Sequence, residues 1–127
     1  MNTEEKQLLL KDLCARLPYG VSVKIFDESV LMEEGNNDKG TLYGKETMSD
    51  DCFVIKCKSN DSWIISCEDF KPYLRPIHKL TKEELEELEF LTDNDYVDYC
   101  NEHHIDYRNL IPKGLALEAK EGMYKNK

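Results

Sequence analysis

Apolar and polar residues change their spacing twice along this chain, and each change marks a change of structure. Over residues 3–17, Leu9, Leu10, Leu13, Cys14 and Leu17 recur at helical intervals, which predicts an amphipathic helix with one apolar stripe. Asn2 or Thr3 is placed to cap it, and Glu5 stands three residues after Asn2, the spacing of a capping box. Pro18-Tyr19-Gly20 then stops the helix and turns the chain. From Val21 the period falls to two: Val21, Val23 and Ile25 alternate with Ser22 and Lys24, as in a half-buried strand over 21–26. A less regular strand is expected at "SVLME" (29–33), a tight loop at "GNNDKG" (35–40), a third strand at "TLYGKE" (41–46) and a polar connection at "ETMSDD" (46–51). "CFVIKC" (52–57) and "SWIISC" (62–67) flank "KSND" (58–61) and predict a hairpin. Two prolines in "EDFKPYLRPI" (68–77) argue against a central strand or a long helix, leaving a 3₁₀ turn and an edge strand at 74–78.

Beyond Leu80 the helical period returns. Thr81 and Glu84 form a second capping box, Leu80 and Leu85 sit at hydrophobic-staple positions, and Leu85, Leu88 and Leu91 line one face. Another helix starts near Thr92 to Asn94 and runs to about His103, with Tyr96, Val97 and Cys100 inward. Asp106 is placed to cap a short third helix ending at Pro112, with Gly114 as its exit. The pattern of "LALEA" (115–119) fits either a helical extension or a last strand, and the tail from Glu121 is expected to fray at its end.

A helix, then short strands, then helices is the element order of the α+β class. Short strands over about sixty residues favour a small, strongly bent antiparallel sheet or an SH3-like barrel, with helices over an open face or edge. The expected organisation is a single domain over 1–127: helix at 1–20, sheet or barrel at 21–78, helical part at 79–127. With 40% hydrophobic and 34% charged residues, 127 residues suffice for a core. No apolar run approaches bilayer-spanning length, so no membrane association is expected. The first residues carry acids where a secretory leader would be basic, so a cytoplasmic location is expected. Five cysteines, odd in number and without a C-x-x-C pair, read as free thiols of a reducing compartment.

The net charge of −9 is unevenly spread, with residues 81–111 holding two basic and ten acidic groups. That segment repels polyanions, so direct nucleic-acid binding through it is disfavoured. Its exposed carboxylates, Glu83, Glu86 and Glu87, read first as a solvated helix face.

Candidate chemistry concentrates in "CNEHHIDYRNLIPKG". Cys100 and His103, or Cys100 and His104, have the spacing of half a zinc site. Cys57, Cys67 and His78 are the remaining candidate ligands, but none forms the second close pair that makes zinc motifs specific. A Cys-His nucleophile would need an electropositive setting, whereas Cys100 lies in the acidic segment. Burial of Cys100 is the expectation, with His103 and His104 finishing a helix whose carboxyl end favours protonated imidazole. No phosphate-cradling glycine loop is present, and no cofactor is expected. The second unusual stretch is "KPYLRP" (71–76). There Lys71, Tyr73 and Arg75 alternate beside two prolines, with Trp63 on the preceding strand, a composition found in peptide-binding grooves.

Three stretches, "LCARLPYGV" (13–21), "FKPYLRPI" (70–77) and "HHIDYRNLIPKGLALEAKEGMY" (103–124), resemble a family of short uncharacterised proteins from Bacteroides-type gut bacteria and their prophages or other mobile elements. Where that family pattern usually has Phe, Gly and Pro, this chain has Ile105, Asn109 and Lys120. The resemblance implies a mobile-element origin and no particular activity.

Taken together, the residues point to a non-enzymatic cytoplasmic interaction module. Its protein partner is expected at Trp63, Lys71, Tyr73 and Arg75 or along the glutamate-rich helix. Two rival readings are an anionic mimic of nucleic acid that would occupy a nuclease or DNA-binding protein through Glu83, Glu86 and Glu87, and a metal or thiol enzyme centred on Cys100 and His103.

Overall fold

The computed structural model describes residues 2–32, 37–47, 51–57 and 61–124. Parts of the loop expected at 35–40, of the connection at 46–51 and of the hairpin turn at 58–61, and the end of the tail at 125–127, lie outside the described residues.

Helix α1 spans Thr3–Ala15. Its capping box is complete: the Glu5 amide donates to Asn2 Oδ1 at 2.8 Å, and the Asn2 amide donates to Glu5 Oε1 at 3.1 Å. A 3₁₀ turn, Leu17–Tyr19, follows and ends at Gly20, whose φ of 63° is the left-handed conformation glycine adopts without strain. The buried face differs from the expected stripe. Leu9, Asp12, Leu13 and Arg16 face inward, while Cys14 is exposed. Two opposite charges one helical turn apart satisfy each other, so they occupy positions that the apolar pattern alone assigns to other residues.

Seven strands form one open, bent, mixed sheet. They are β1 (Ser22–Ile25), β2 (Lys39–Lys45), β3 (Cys52–Cys57), β4 (Ser62–Ser66), β5 (Phe70–Pro76), β6 (Ile105–Asp106) and β7 (Leu117–Glu118), in the order β4-β3-β2-β1-β5-β6 with β7 also on β5. β1 to β5 pair antiparallel, whereas β6 and β7 pair parallel with β5. The α+β class holds, and the β3–β4 hairpin stands where the sequence places it. The SH3-like barrel and the purely antiparallel sheet do not: two short returns of the chain after the helices add parallel strands to an open sheet.

β5 is the main surprise. It pairs with three strands although it contains two prolines. Lys24 and Lys71 form the register pair whose backbone groups face each other, so the backbone of Pro72 turns away from β1. At the far end the Arg75 amide donates to the His104 carbonyl at 2.7 Å, and the ladder asks no amide of Pro76. Both prolines thus occupy positions where no donor is needed. The 3₁₀ turn follows this strand, at Ile77–Lys79, instead of preceding it. "SVLME" is not a strand: Glu28–Leu31 is a helical turn (α2), capped by Asp27, whose Oδ1 accepts from the Ser29 amide at 2.9 Å.

One core joins α1 to the inner sheet face, through Leu9, Leu13, Val23, Leu42, Phe53 and Phe70 among others. A smaller cluster of Leu80, Leu88, Cys100 and Ile105 holds α3 (Lys82–Glu89) and α4 (Asp93–Glu102). In α3 the buried polar residue is Glu84, and Leu85, expected inside, is 40% exposed. No third helix follows Asp106. Its carboxylate instead accepts from the amides of Leu110 at 2.9 Å and Ile111 at 3.0 Å, closing a series of turns. Asn109 takes φ 59° there, the left-handed conformation that asparagine tolerates. Residues 117–118 resolve the ambiguity of "LALEA" as a strand.

Candidate functional site

The residues singled out in the C-terminal stretch sit in unlike surroundings. Cys100 is fully buried in the smaller core, and burial pushes its thiol up to about 11. A thiol so placed stays protonated and is a poor nucleophile. The His103 ring packs on Tyr99 with centroids 4.2 Å apart. His104 lies just past α4 with φ 61°, and its ring stacks on Tyr124 at 3.9 Å. Burial first, then the charges of Arg16, Arg75 and His103, bring its imidazole down to about 4. His104 is therefore neutral near pH 7, contrary to the expected protonated helix terminus. Among the described residues no group of three or more His, Cys, Asp or Glu side chains is placed to hold a metal ion.

The charged residues of the same stretch build a buried network. The Arg16 guanidinium donates to Asp12 at 2.8 and 3.2 Å and to the Ile105 carbonyl at 2.6 Å. Arg108 donates to Asp12 at 3.1 Å and to the Tyr107 hydroxyl at 2.8 Å. This network ties α1 to the chain leaving α4. It is well satisfied, which is the signature of a structural tie.

The four residues expected to share a groove do not meet on one surface. Trp63 faces inward from β4 and packs against the main core, and among the described residues its indole N–H has no hydrogen-bond partner. Arg75 turns toward α3, donating to Glu84 at 2.6 Å and to the His103 carbonyl at 3.2 Å. Burial raises the Glu84 carboxyl, but the hydrogen bonds from Arg75 and Thr81 together hold it below its usual value. Tyr73 is buried, and burial, with a smaller effect of Asp38, raises its phenol. Lys71 lies on the solvent face of the sheet, where its ammonium is 5.9 Å from the Phe26 ring centroid. Glu83, Glu86 and Glu87 are exposed on α3, beside Phe90, which is 86% exposed.

That solvent face is the candidate site. Strand alternation sends Val23, Ile25, Leu42, Phe53, Ile55 and Ile65 inward and leaves a different set outward. Lys24 is paired across the strands with Lys39 on one side and Lys71 on the other, and Thr41 stands between Ser22 and Lys56. Three aliphatic or aromatic residues join them: Phe26 (44% exposed), Tyr43 (63%) and Ile64 (59%). Lysines cover two of the rings, Lys24 at 5.5 Å from Phe26 and Lys56 at 5.1 Å from Tyr43. A cleft of about 510 Å³ opens on this face, lined by Ser22, Lys39, Thr41, Lys56, Tyr73 and Met123, among others.

Sequence reasoning picks out Lys71 and Tyr73 here and misses the rest. The signal was available: alongside Ser22 and Thr41, the outward positions of the strands include lysines, a tyrosine and an isoleucine. What brings them together is cross-strand register, which no single strand displays.

No family model, curated protein or solved structure matches the chain. Among the described residues no helix is long and apolar enough to cross a membrane.

Proposed function

We propose that the chain is a non-enzymatic, cytoplasmic protein-interaction module that docks its partner on the solvent face of the sheet. One observation carries this reading: the inner face of the sheet is closed by its own core, while the outer face presents Ile64 together with Phe26 and Tyr43, whose rings lie beneath lysines. Exposed aromatic and aliphatic side chains within a polar rim are the anatomy of a binding surface. The shifted groups support binding over catalysis, because Cys67, Cys100, Tyr99, Tyr124 and His104 are all driven toward their neutral forms by burial. The experiment is affinity purification from host lysate with the wild-type chain and a Tyr43→Ser, Ile64→Ser variant of equal melting temperature. The expected result is a protein retained by the wild type and lost by the variant. Identical sets on both would overturn the reading.

A second surface has one observation in its favour. Phe90 projects into solvent beside Glu83, Glu86 and Glu87, a combination suited to a basic partner such as a nuclease or DNA-binding protein. Salt-sensitive capture abolished by charge reversal at the three glutamates, and untouched by the Tyr43 and Ile64 changes, would move the function to α3.

A further inference from the structure

We propose that the cleft between β1, β2 and β3 binds a small phosphate-bearing molecule, held by Lys39 and Lys56 with the hydroxyls of Ser22 and Thr41. The argument begins with register. Ser22, Thr41 and Lys56 stand side by side on three adjacent strands, and Lys39 is two residues from Thr41 on the same face. Adjacent strands are about 4.8 Å apart, and Ser22, Lys39, Thr41 and Lys56 all line this one cleft, with the Lys56 ammonium resting 5.1 Å from the Tyr43 ring centroid at its edge. Asn37 adds a further donor: its Oδ1 accepts from the Lys39 amide at 3.0 Å, which leaves its NH₂ for the cleft it lines.

Charge supplies the second argument. Like charges directly opposite on neighbouring strands destabilise a sheet, and here Lys24 faces both Lys39 and Lys71. Among the described residues no carboxylate lies within ion-pair distance of Lys39 or Lys56. Asp38, the acid nearest in sequence, is 3.9 Å from Lys24. In a chain of net charge −9, Lys39 and Lys56 stand without an ion-pair partner among the described residues. Asp38 and Asp61 act on Tyr73 and Cys57 in the cleft wall, and this leaves two cations for an anion. Lysine is a compact point charge that suits a tetrahedral oxyanion, and hydroxyl and amide donors suit its several acceptor oxygens.

Size narrows the ligand class. About 510 Å³ lies within the range of ligand clefts and exceeds the volume of a bare phosphate ion. Tyr73 and Met123 line the same cleft and supply an apolar wall for an organic body. The ligand is thus a phosphate monoester on a small body such as a sugar. This site needs no protein partner, and its test uses the purified chain alone, so it stands or falls apart from the docking surface.

The experiment is thermal denaturation and calorimetric titration with ribose 5-phosphate, inorganic phosphate and citrate. The expected result is a saturable rise in melting temperature with ribose 5-phosphate, a weaker one with phosphate, and little with citrate, whose carboxylates are planar. Lys39→Gln with Lys56→Gln should weaken ribose 5-phosphate by at least about tenfold, since both charge-assisted contacts to the phosphate are removed. Lys11→Gln with Lys113→Gln removes two exposed lysines elsewhere and should leave binding intact. Backbone amide shifts should move at Ser22, Thr41 and Lys56. Absence of saturable binding up to millimolar concentration, an equal response to citrate, or equal loss in both double variants would overturn the proposal.

Discussion

Asp12 is the acid on which two arginines depend. Its carboxylate receives Arg16, fully buried, and Arg108, partly buried. Asp12→Asn would leave a buried guanidinium without its counter-charge, a loss of about 3–5 kcal/mol in similar settings. Urea unfolding should show that fall, whereas Lys79→Ala, which breaks the exposed pair with Glu118, should stay within about 0.5 kcal/mol. His104 sets an acid limit. The folded chain keeps its imidazole neutral down to about pH 4, while the unfolded chain takes up the proton near the ordinary 6.5. Its contribution is therefore whole above pH 6.5 and declines as pH falls toward 4. His104→Asn, which tolerates the left-handed backbone, should flatten the change in urea midpoint between pH 7 and pH 5. An unchanged slope would count against this assignment.

Among the elements, the boundary between β1 and β5 depends on a residue a hundred positions away. Register continues as far as Val23 and Pro72; at the next pair, Ser22 and Tyr73, the strands part. The Tyr124 hydroxyl fills the gap, accepting from the Ser22 amide at 2.9 Å and donating to the Tyr73 carbonyl at 2.8 Å. Tyr124→Phe keeps the stack on His104 but leaves both backbone groups unpaired, and should reduce stability by about 1–3 kcal/mol in urea unfolding. Elements governed by local chemistry were readable in the sequence. Both capping boxes, the helix at 93–102 and the hairpin at 52–66 stand as expected. Those governed by distant partners were not: β5 reads as an edge because its prolines are visible and their register is not. The helical turn at Glu28–Leu31 reads as a strand because four residues are too few to show a period.

For the whole molecule, charge is sorted as well as counted. The surplus of acid lies in and after α3, while lysines gather on the sheet face, so two surfaces of opposite character coexist in one chain. The sequence displays the first as a run and scatters the second over four strands, which is why the acidic face was legible and the basic one was not. Residues 13–21, 70–77 and 103–124 are also joined here: Arg16 meets the Ile105 carbonyl, Arg75 meets the His103 carbonyl, and Tyr124 meets Tyr73.

The cysteines give the molecule an internal gauge of its own opening. Cys14 is exposed and Cys52 partly so, while Cys57, Cys67 and Cys100 are enclosed. An alkylating reagent should therefore add two groups to the native chain in a first phase visible by mass spectrometry. The remaining three should react only as the interior becomes accessible, because burial holds Cys67 and Cys100 protonated near 11 while the fold is closed. Because Cys67 belongs to the main core and Cys100 to the smaller one, the order of their alkylation reports which half of the protein loosens first.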